Sequence, residues 1–408
     1  MVVKTSLAVA VLAALALYLY DRLPVGAFAY FNAPGRMPQH ANFKSSEVKF
    51  ADQIRSCEDV ILVESRGVAL LACDPGRETW NTVMGIFGAT PDPNAELYIY
   101  KYADPALPDA QSLLRLEIVG FDAELRTLGL ELDEATSTLF VTNHQRQGPG
   151  VEVFKLDFDA LTATYIRSIV HPLVHAPNSV AVIDSRSFLV TNQHYFVVAD
   201  YPLLSQIETY TAPPIGTVVH VRILSNGTVD AEVVARLPYP NGIVLFNETT
   251  VAVSSSNNAA VYFYAYTPAA SLESPADSSA PRQSHPTLKY RSSIRVPFHP
   301  DNLSVSRDGT LFIAGHPHLR TLGQFTRSRQ ICNRPEVLAK PEHADMREHG
   351  CKALSAPSWV SEWSEAQGLR HIYSGYEYPS SATAARDVDK NVGIVAGLYA
   401  KGIMVWRE

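Results

Sequence analysis

Apolar and polar residues alternate along most of this 408-residue chain with a period of two, the mark of half-buried strands and not of helices. The alternation arrives in recurring units: a polar or small residue at a turn, an apolar strand, a second turn, then a strand reading like Thr-Leu-Phe-Val-Thr-Asn. Glu58-Asp59-Val60-Ile61 leads to residues 67–73, and Leu128-Gly129-Leu130 leads to 138–143. Asn178-Ser179-Val180-Ala181 leads to 187–192, Asn241-Gly242-Ile243 to 250–255, and Asp301-Asn302-Leu303-Ser304 to 310–315. A degraded sixth copy runs from Ser381-Ala382-Thr383 to 392–397, and third strands follow at 97–102, 151–158, 261–266 and 402–406. Units of roughly 50 to 80 residues, each with several short strands, have the size of propeller blades. The expectation is an all-β fold, a six-bladed β-propeller; an unrelated β-sandwich is the competing arrangement.

The pattern breaks in four places. Residues 5–20 are uncharged and almost wholly apolar, bounded by Lys4 and by Asp21-Arg22. That length falls between the about 20 residues of a membrane span and the about 7–15 of a signal-peptide core. Residues 1–29 are therefore read as a hydrophobic signal-anchor helix. The alternatives are a cleaved signal peptide, for which Ala27-Phe28-Ala29 has the small-x-small form, and a buried core helix. Residues 30–408 form the propeller. Within it the Ser/Pro/Ala-rich stretch 267–287 reads as a solvent loop, 203–210 as a short helix, and 327–371 as an insertion on one face.

Composition adds limits. Hydrophobic residues make up 46% of the chain, enough for a large core. Lys and Arg number 34 against 41 Asp and Glu, a net charge of −7, so no basic field exists to hold nucleic acid. A signal-anchor or signal peptide sends the body into the secretory pathway, membrane-anchored or secreted. Asn226-Gly227-Thr228 and Asn247-Glu248-Thr249 agree as glycosylation acceptors. Cys57 and Cys73 flank one predicted hairpin, Cys332 and Cys351 share the insertion, and neither pair has metal-site spacing. Two local disulfides or free buried thiols both satisfy the pattern. Oligomeric state is not encoded in any of these features.

Innermost strands of a propeller line one channel, so equivalent repeat positions meet in space. Those positions carry Glu58, Gly129, Asn178, Asn241, Asp301 with Asn302, and Ser381. Carboxylates and amides aimed at one axis make an oxygen-only ligand set, which suits calcium. The chain lacks a GxSxG elbow, a phosphate-binding Walker loop, an HExxH zinc motif and a GxGxxG turn.

Several of these residues carry a family resemblance. Cys57-Glu58-Asp59, Thr142-Asn143-His144, Pro177-Asn178-Ser179-Val180-Ala181-Val182 and Thr191-Asn192-Gln193-His194-Tyr195-Phe196 resemble the serum paraoxonase/arylesterase family. Pro240-Asn241-Gly242-Ile243, Asp301-Asn302-Leu303-Ser304-Val305 and Gly315-His316-Pro317 extend the match in order from about residue 57 to 318. The resemblance implies a six-bladed propeller with two calcium ions in its channel, hydrolysing lactones, aryl esters and some phosphotriesters. It also implies a retained apolar N-terminus. By motif, Glu58, Asn178, Asn241, Asp301 and Asn302 would hold the catalytic calcium, while Asp59 and the backbone oxygen of Leu130 would hold a structural one. His316 matches a channel-wall histidine.

Two positions depart from the family. Ser179 stands where it has a structural-calcium aspartate, and Leu128 replaces a histidine held to be the general base. His144 is the surviving partner of that histidine. The expected function is a calcium-dependent hydrolase of small lactones or aryl esters, with His144, Asp301 and Glu58 as catalytic candidates and Leu128 and His316 on the channel wall. The alternatives are a biosynthetic enzyme using the calcium channel for a non-hydrolytic cyclisation or rearrangement, and a propeller that binds ligand without catalysis.

Overall fold

The alternating strands fold as their period requires. A computed structural model describes residues 2–88, 93–269 and 284–408, with backbone alone at residues 2–12, 14, 15 and 21 of the N-terminal helix. Six sheets stand around one axis, antiparallel except where Glu117–Val119 joins Thr162–Ile169 in parallel, and their innermost strands are Cys57–Val63, Thr127–Asp133, Pro177–Asp184, Pro240–Asn247, His299–Val305 and Ser381–Asp387. Each innermost strand packs against the next and the sixth against the first, closing the ring. These are the six blades of a β-propeller, numbered here in chain order from the one that opens with Cys57.

Side chains on the blade faces fill the wedges between neighbours. Val60, Leu71, Ile394 and Val405 fill the seam between blades 6 and 1, and Leu70, Leu97, Val141 and Phe154 the seam between blades 1 and 2. Comparable apolar clusters occupy the other seams. Each seam buries the apolar faces that the period-two pattern supplies. Blade 6 is completed from the other end of the chain: Ser45–Lys49 pairs antiparallel with Ile403–Arg407. This strand exchange joins the two termini and removes an open edge.

The predicted third strands lie in blades 1, 2, 4 and 6 at Glu96–Tyr100, Gly150–Asp157, Ala260–Thr267 and Ile403–Arg407. The short helix is present at Pro202–Thr211. The stretch expected as an insertion, 327–371, divides in two. Its first part belongs to a helical excursion that begins with Leu319–Cys332, whereas Ser358–Ser364 and Gly368–Gly375 are the third and fourth strands of blade 5. Trp359, Val360, Ile372 and Tyr373 are buried there, and the charged residues between them hid these strands from the sequence pattern. Disulfides join Cys57 to Cys73 and Cys332 to Cys351. The first links the two central strands of blade 1 beside the channel.

The N-terminal residues form the helix Val2–Phe31, interrupted in character by Pro24. Its C-terminal part lies on the propeller: Arg22 Nη1 donates to the Asn257 carbonyl at 2.8 Å, and Asn32 Nδ2 donates to the carbonyls of Pro297 and Pro317. Tyr18 donates to the Thr211 carbonyl at 3.0 Å. Among the described residues no helix is long and apolar enough to cross a membrane. The expected anchor at 5–20 falls largely on side chains outside the described ones, and most of the loop expected at 267–287 also lies outside them.

Candidate active site

All six innermost strands carry the same irregularity. Pairing with the second strand slips between Cys57 and Asp59, Thr127 and Leu130, Pro177 and Val180, Pro240 and Ile243, Pro300 and Leu303, and Ser381 and Thr383. A bulge frees one or two residues from the ladder and re-aims their side chains. The freed residues are Glu58, Leu128 with Gly129, Asn178 with Ser179, Asn241 with Gly242, Asp301 with Asn302, and Ala382. Close approach of neighbouring bulges demands glycine at two of them. A Cβ on Gly129 would lie 2.6 Å from the Asn178 carbonyl oxygen, and one on Gly242 2.6 Å from Asn302 Cα.

The expected ligands are all buried: Glu58 is 1% exposed, Asn302 2%, Asn178 3%, Asp301 5% and Asn241 6%. Hydrogen bonds link several of them. Asn302 Nδ2 donates to Glu58 Oε1 and to Thr383 Oγ1, both at 3.0 Å. The Thr383 hydroxyl interacts with the Glu58 carbonyl and Asp59 Oδ1 at 2.9 Å. Asn241 Nδ2 donates to Ser256 Oγ at 3.0 Å, and that hydroxyl donates onward to the Pro300 carbonyl at 2.6 Å. These donors fix which end of each amide is nitrogen. What remains is a set of buried oxygens without partners: Glu58 Oε2, Asn178 Oδ1, Asn241 Oδ1 and Asn302 Oδ1.

Buried acceptors left unmade are costly, and four at one end of the innermost strands fit a cation. Hard oxygen donors of this kind suit calcium. Among the described residues no group of three or more His, Cys, Asp or Glu is arranged for a metal; here amides supply most of the oxygens. The electrostatics agree. Burial, then the charges of Asp301 and Asp59, push the Glu58 carboxyl well above its usual range, with Arg77 acting in the opposite direction.

Asp59 differs. Its Oδ1 receives the Val60 N–H and Thr383, and its Oδ2 receives the Leu130 N–H, all at 2.9 Å. Leu130 thus meets Asp59 through its amide nitrogen, not its carbonyl. Ser179 Oγ accepts the Ile243 N–H at 3.4 Å. Burial raises the Asp59 carboxyl to about 6 despite these donors. Both carboxylate oxygens of Asp59 already accept hydrogen bonds from the chain, and no step is derived through a second ion.

On the channel wall, His316 Nε2 lies 2.9 Å from Asp301 Oδ2, and its buried Nδ1 has no partner. His144 is placed differently. Its Nε2 meets the Pro177 carbonyl and its Nδ1 lies 2.6 Å from Thr82 Oγ1. A ring nitrogen facing a carbonyl must carry the proton, so Nε2 donates and Nδ1 accepts. Burial lowers its pKa to about 4, keeping it neutral. Leu128 is 5% exposed. His144, His175, Gln193, His194 and Thr82 line a small cavity.

Three participants escaped sequence reasoning. Thr383, not Ser381, joins the cluster, because the blade 6 bulge shifts the strand; Ser381 instead donates to the Gly315 carbonyl at 2.9 Å. Ser256 orients Asn241 from outside the inner strand. Arg77 is buried beside Glu58 and His144, in the turn Pro75–Glu78 after the second strand of blade 1. The repeat pattern gave no signal for the last two.

Comparison with known proteins points one way. The Arylesterase family profile matches residues 81–332. Serum paraoxonase/arylesterase 2 of Rattus norvegicus is 35% identical over 78 residues, 19% of this chain and 21% of its own length. Serum paraoxonase/lactonase 3 of Homo sapiens is 34% identical over 94 residues, 22% of this chain and 26% of its own. The chain thus spans about a quarter or less of these curated relatives. Among solved structures, a luciferin-regenerating enzyme covers 89% of this chain and 95% of its own at 12% identity and a TM-score of 0.48.

Proposed function

Because the chain belongs to the arylesterase family, we propose that it is a calcium-dependent hydrolase of lactones or aryl esters, with its active site in the propeller channel. The observation that carries this reading is the set of four buried, unpartnered oxygens on Glu58, Asn178, Asn241 and Asn302, completed by Asp301. A calcium ion held by these five residues would draw electron density from a substrate carbonyl and offset negative charge growing on its oxygen.

The chain's own residues supply the proton chemistry. Asp301 accepts the Nε2–H of His316, which fixes the tautomer and leaves the lone pair on Nδ1. That buried nitrogen has no other partner, so it is the acceptor for a proton from attacking water. His144 is a positioning residue in this scheme: its Nε2–H holds the Pro177 carbonyl, and with it the turn that presents Asn178. Leu128 excludes water from that side of the channel. The family's base is missing, and the proton acceptor moves across the channel to blade 5.

A secretory location is proposed with this activity. Two disulfides suit an oxidising compartment. Exposed Leu17, Leu19, Tyr20 and Leu23 on the N-terminal helix support its use as an apolar signal or anchor.

The test is turnover of phenyl acetate and of γ- and δ-lactones by the full chain, before and after chelation and calcium readdition. Activity should vanish with chelator and return with calcium. His316→Gln should lower kcat by about 10²–10⁴, the range of a general base, without weakening calcium binding. A fully active His316→Gln would remove the proton scheme. If the calcium-loaded wild type turned over none of these compounds, the dry side formed by Leu128 would favour the second reading, a cyclisation or rearrangement without water.

A further inference from the structure

Arg77 is 2% exposed, yet only one of its side-chain nitrogens has a partner: Nη2 donates to the Thr127 carbonyl, while Nε and Nη1 have none. A guanidinium carries five N–H donors and does not lose its charge. Burying one without a counter-ion is strongly unfavourable. The Asp74 and Glu58 carboxylates act on the Arg77 guanidinium through charge without a hydrogen bond to it, Arg77 being the first influence opposing the burial that raises the Asp74 carboxyl. Asp74 pairs with Arg126 at 3.1 Å, and Glu78 takes Arg55 at 2.8 Å and Asn333 at 2.7 Å. Glu58 influences Arg77 through charge alone, with no ion pair between them among the described residues.

The turn that carries Arg77 is built to hold it there. Its N–H donates to the Asp74 carbonyl at 3.1 Å, and its carbonyl accepts the Tyr399 hydroxyl at 3.2 Å. Asn81 donates to that same hydroxyl at 2.9 Å. Gly76 must be glycine, because a Cβ would overlap Arg126 Nη1 at 1.9 Å. The guanidinium is thereby fixed against Thr127, the residue before Leu128, and its charge is felt by both Glu58 and His144. A permanent cation thus stands within charge range of Glu58, Asp74 and His144.

We propose that Arg77 recognises a carboxylate on the substrate, so that the channel selects lactones or esters bearing an acidic group. The idea rests on the reading of this channel as an ester or lactone site, and it names the substrate class. Arg77 is a binding and specificity residue here; the reacting carbonyl lies toward Asn178, Asn241 and Asp301. Guanidinium–carboxylate pairing is strong and directional, and the free donors on Nε and Nη1 offer it.

The test separates binding from turnover. Calorimetry with the calcium-loaded full chain compares phenylacetate with the neutral isostere phenylacetamide. The wild type should prefer phenylacetate by about ten-fold or more, the scale of one charge-assisted hydrogen bond. Arg77→Met should erase the preference while the melting temperature shows a folded protein. Arg77→Lys, which keeps charge but loses the fork, should retain only part of it and serves as the deciding variant if Arg77→Met does not fold. In turnover, Arg77→Met should reduce kcat/KM for monophenyl glutarate by about ten-fold or more beyond any change in phenyl pentanoate. Equal affinity for acid and amide in the wild type, including no binding of either, overturns the proposal. So does a preference unchanged in the folded variants. A carboxylate preference that depends on Arg77 in a protein without hydrolytic activity would uphold this inference and sink the hydrolase reading instead.

Discussion

A single hydroxyl, on Thr383, meets a carbonyl, a carboxylate and an amide drawn from two other blades. It holds Asn302 so that Oδ1 remains free, and it shares Asp59 with two backbone amides. Thr383→Val keeps the shape and removes these bonds. Lost hydrogen bonds to charged groups are worth about 1.5–3 kcal/mol, so calcium affinity should fall by about ten-fold or more. A calorimetric titration reads this directly, and an unchanged affinity would remove Thr383 from the site. The asparagines proposed as ligands were legible in the sequence because they recur at one phase of the repeat. Thr383 was not, because its register depends on a bulge that skips only Ala382. A second residue-scale prediction concerns pH. His220 bridges Ser187 and His285, each at 2.8 Å, and burial followed by the His285 charge lowers its pKa to about 4. An unfolded histidine titrates near about 6.5. Between those values the unfolded chain binds a proton that the folded chain refuses, so this group's stability is present above 6.5 and is lost as pH falls toward 4. In His220→Asn, urea midpoints measured at intervals between pH 6.5 and 4.5 should fall less steeply than in the wild type.

At the scale of elements, the repeated bulge on the innermost strand converts six ordinary blades into one site. It frees residues from the ladder in each strand, polar ones in blades 1, 3, 4 and 5, and glycine lets adjacent bulges touch. Gly242→Ala would drive a Cβ to 2.6 Å from Asn302 Cα, 2.7 Å from Leu303 N and 2.8 Å from the Asp301 carbonyl oxygen. Those are backbone atoms of the strand that carries two ligands, and they cannot step aside cheaply. Overpacking of this kind costs about 1–3 kcal/mol, so both melting temperature and calcium affinity should drop together. A drop in stability with calcium binding intact would mean that the bulges are not coupled to the site. Period-two alternation made the strands readable, including the sixth blade. Blade 5 was read short because its outer strands follow a helical excursion rich in charge. Charge between Trp359 and Tyr373 interrupts the apolar count but not the inward-facing residues.

For the whole molecule, the ring is closed by Ser45–Lys49 on Ile403–Arg407, and the N-terminal helix lies near Asn257, Pro297 and Pro317. Asn226 and Asn247 sit in exposed turns between strands, whereas Asn302, formally also an acceptor, is 2% exposed in the channel. If the chain passes through the secretory pathway, peptide mapping should find glycans at Asn226 or Asn247 and an unmodified Asn302. A glycan on Asn302 would be incompatible with its place among the ligands. The central proposal is that four of the six innermost strands bring five oxygen-bearing side chains to one calcium ion. Isothermal titration of the chelator-treated full chain with calcium measures it most directly. The proposal predicts one specific ion per chain, with binding abolished in the double substitution Asn178→Ala and Asn241→Ala while the melting temperature of the calcium-free protein is maintained. Absence of specific binding in the wild type, or binding that persists in the folded double variant, would contradict the account.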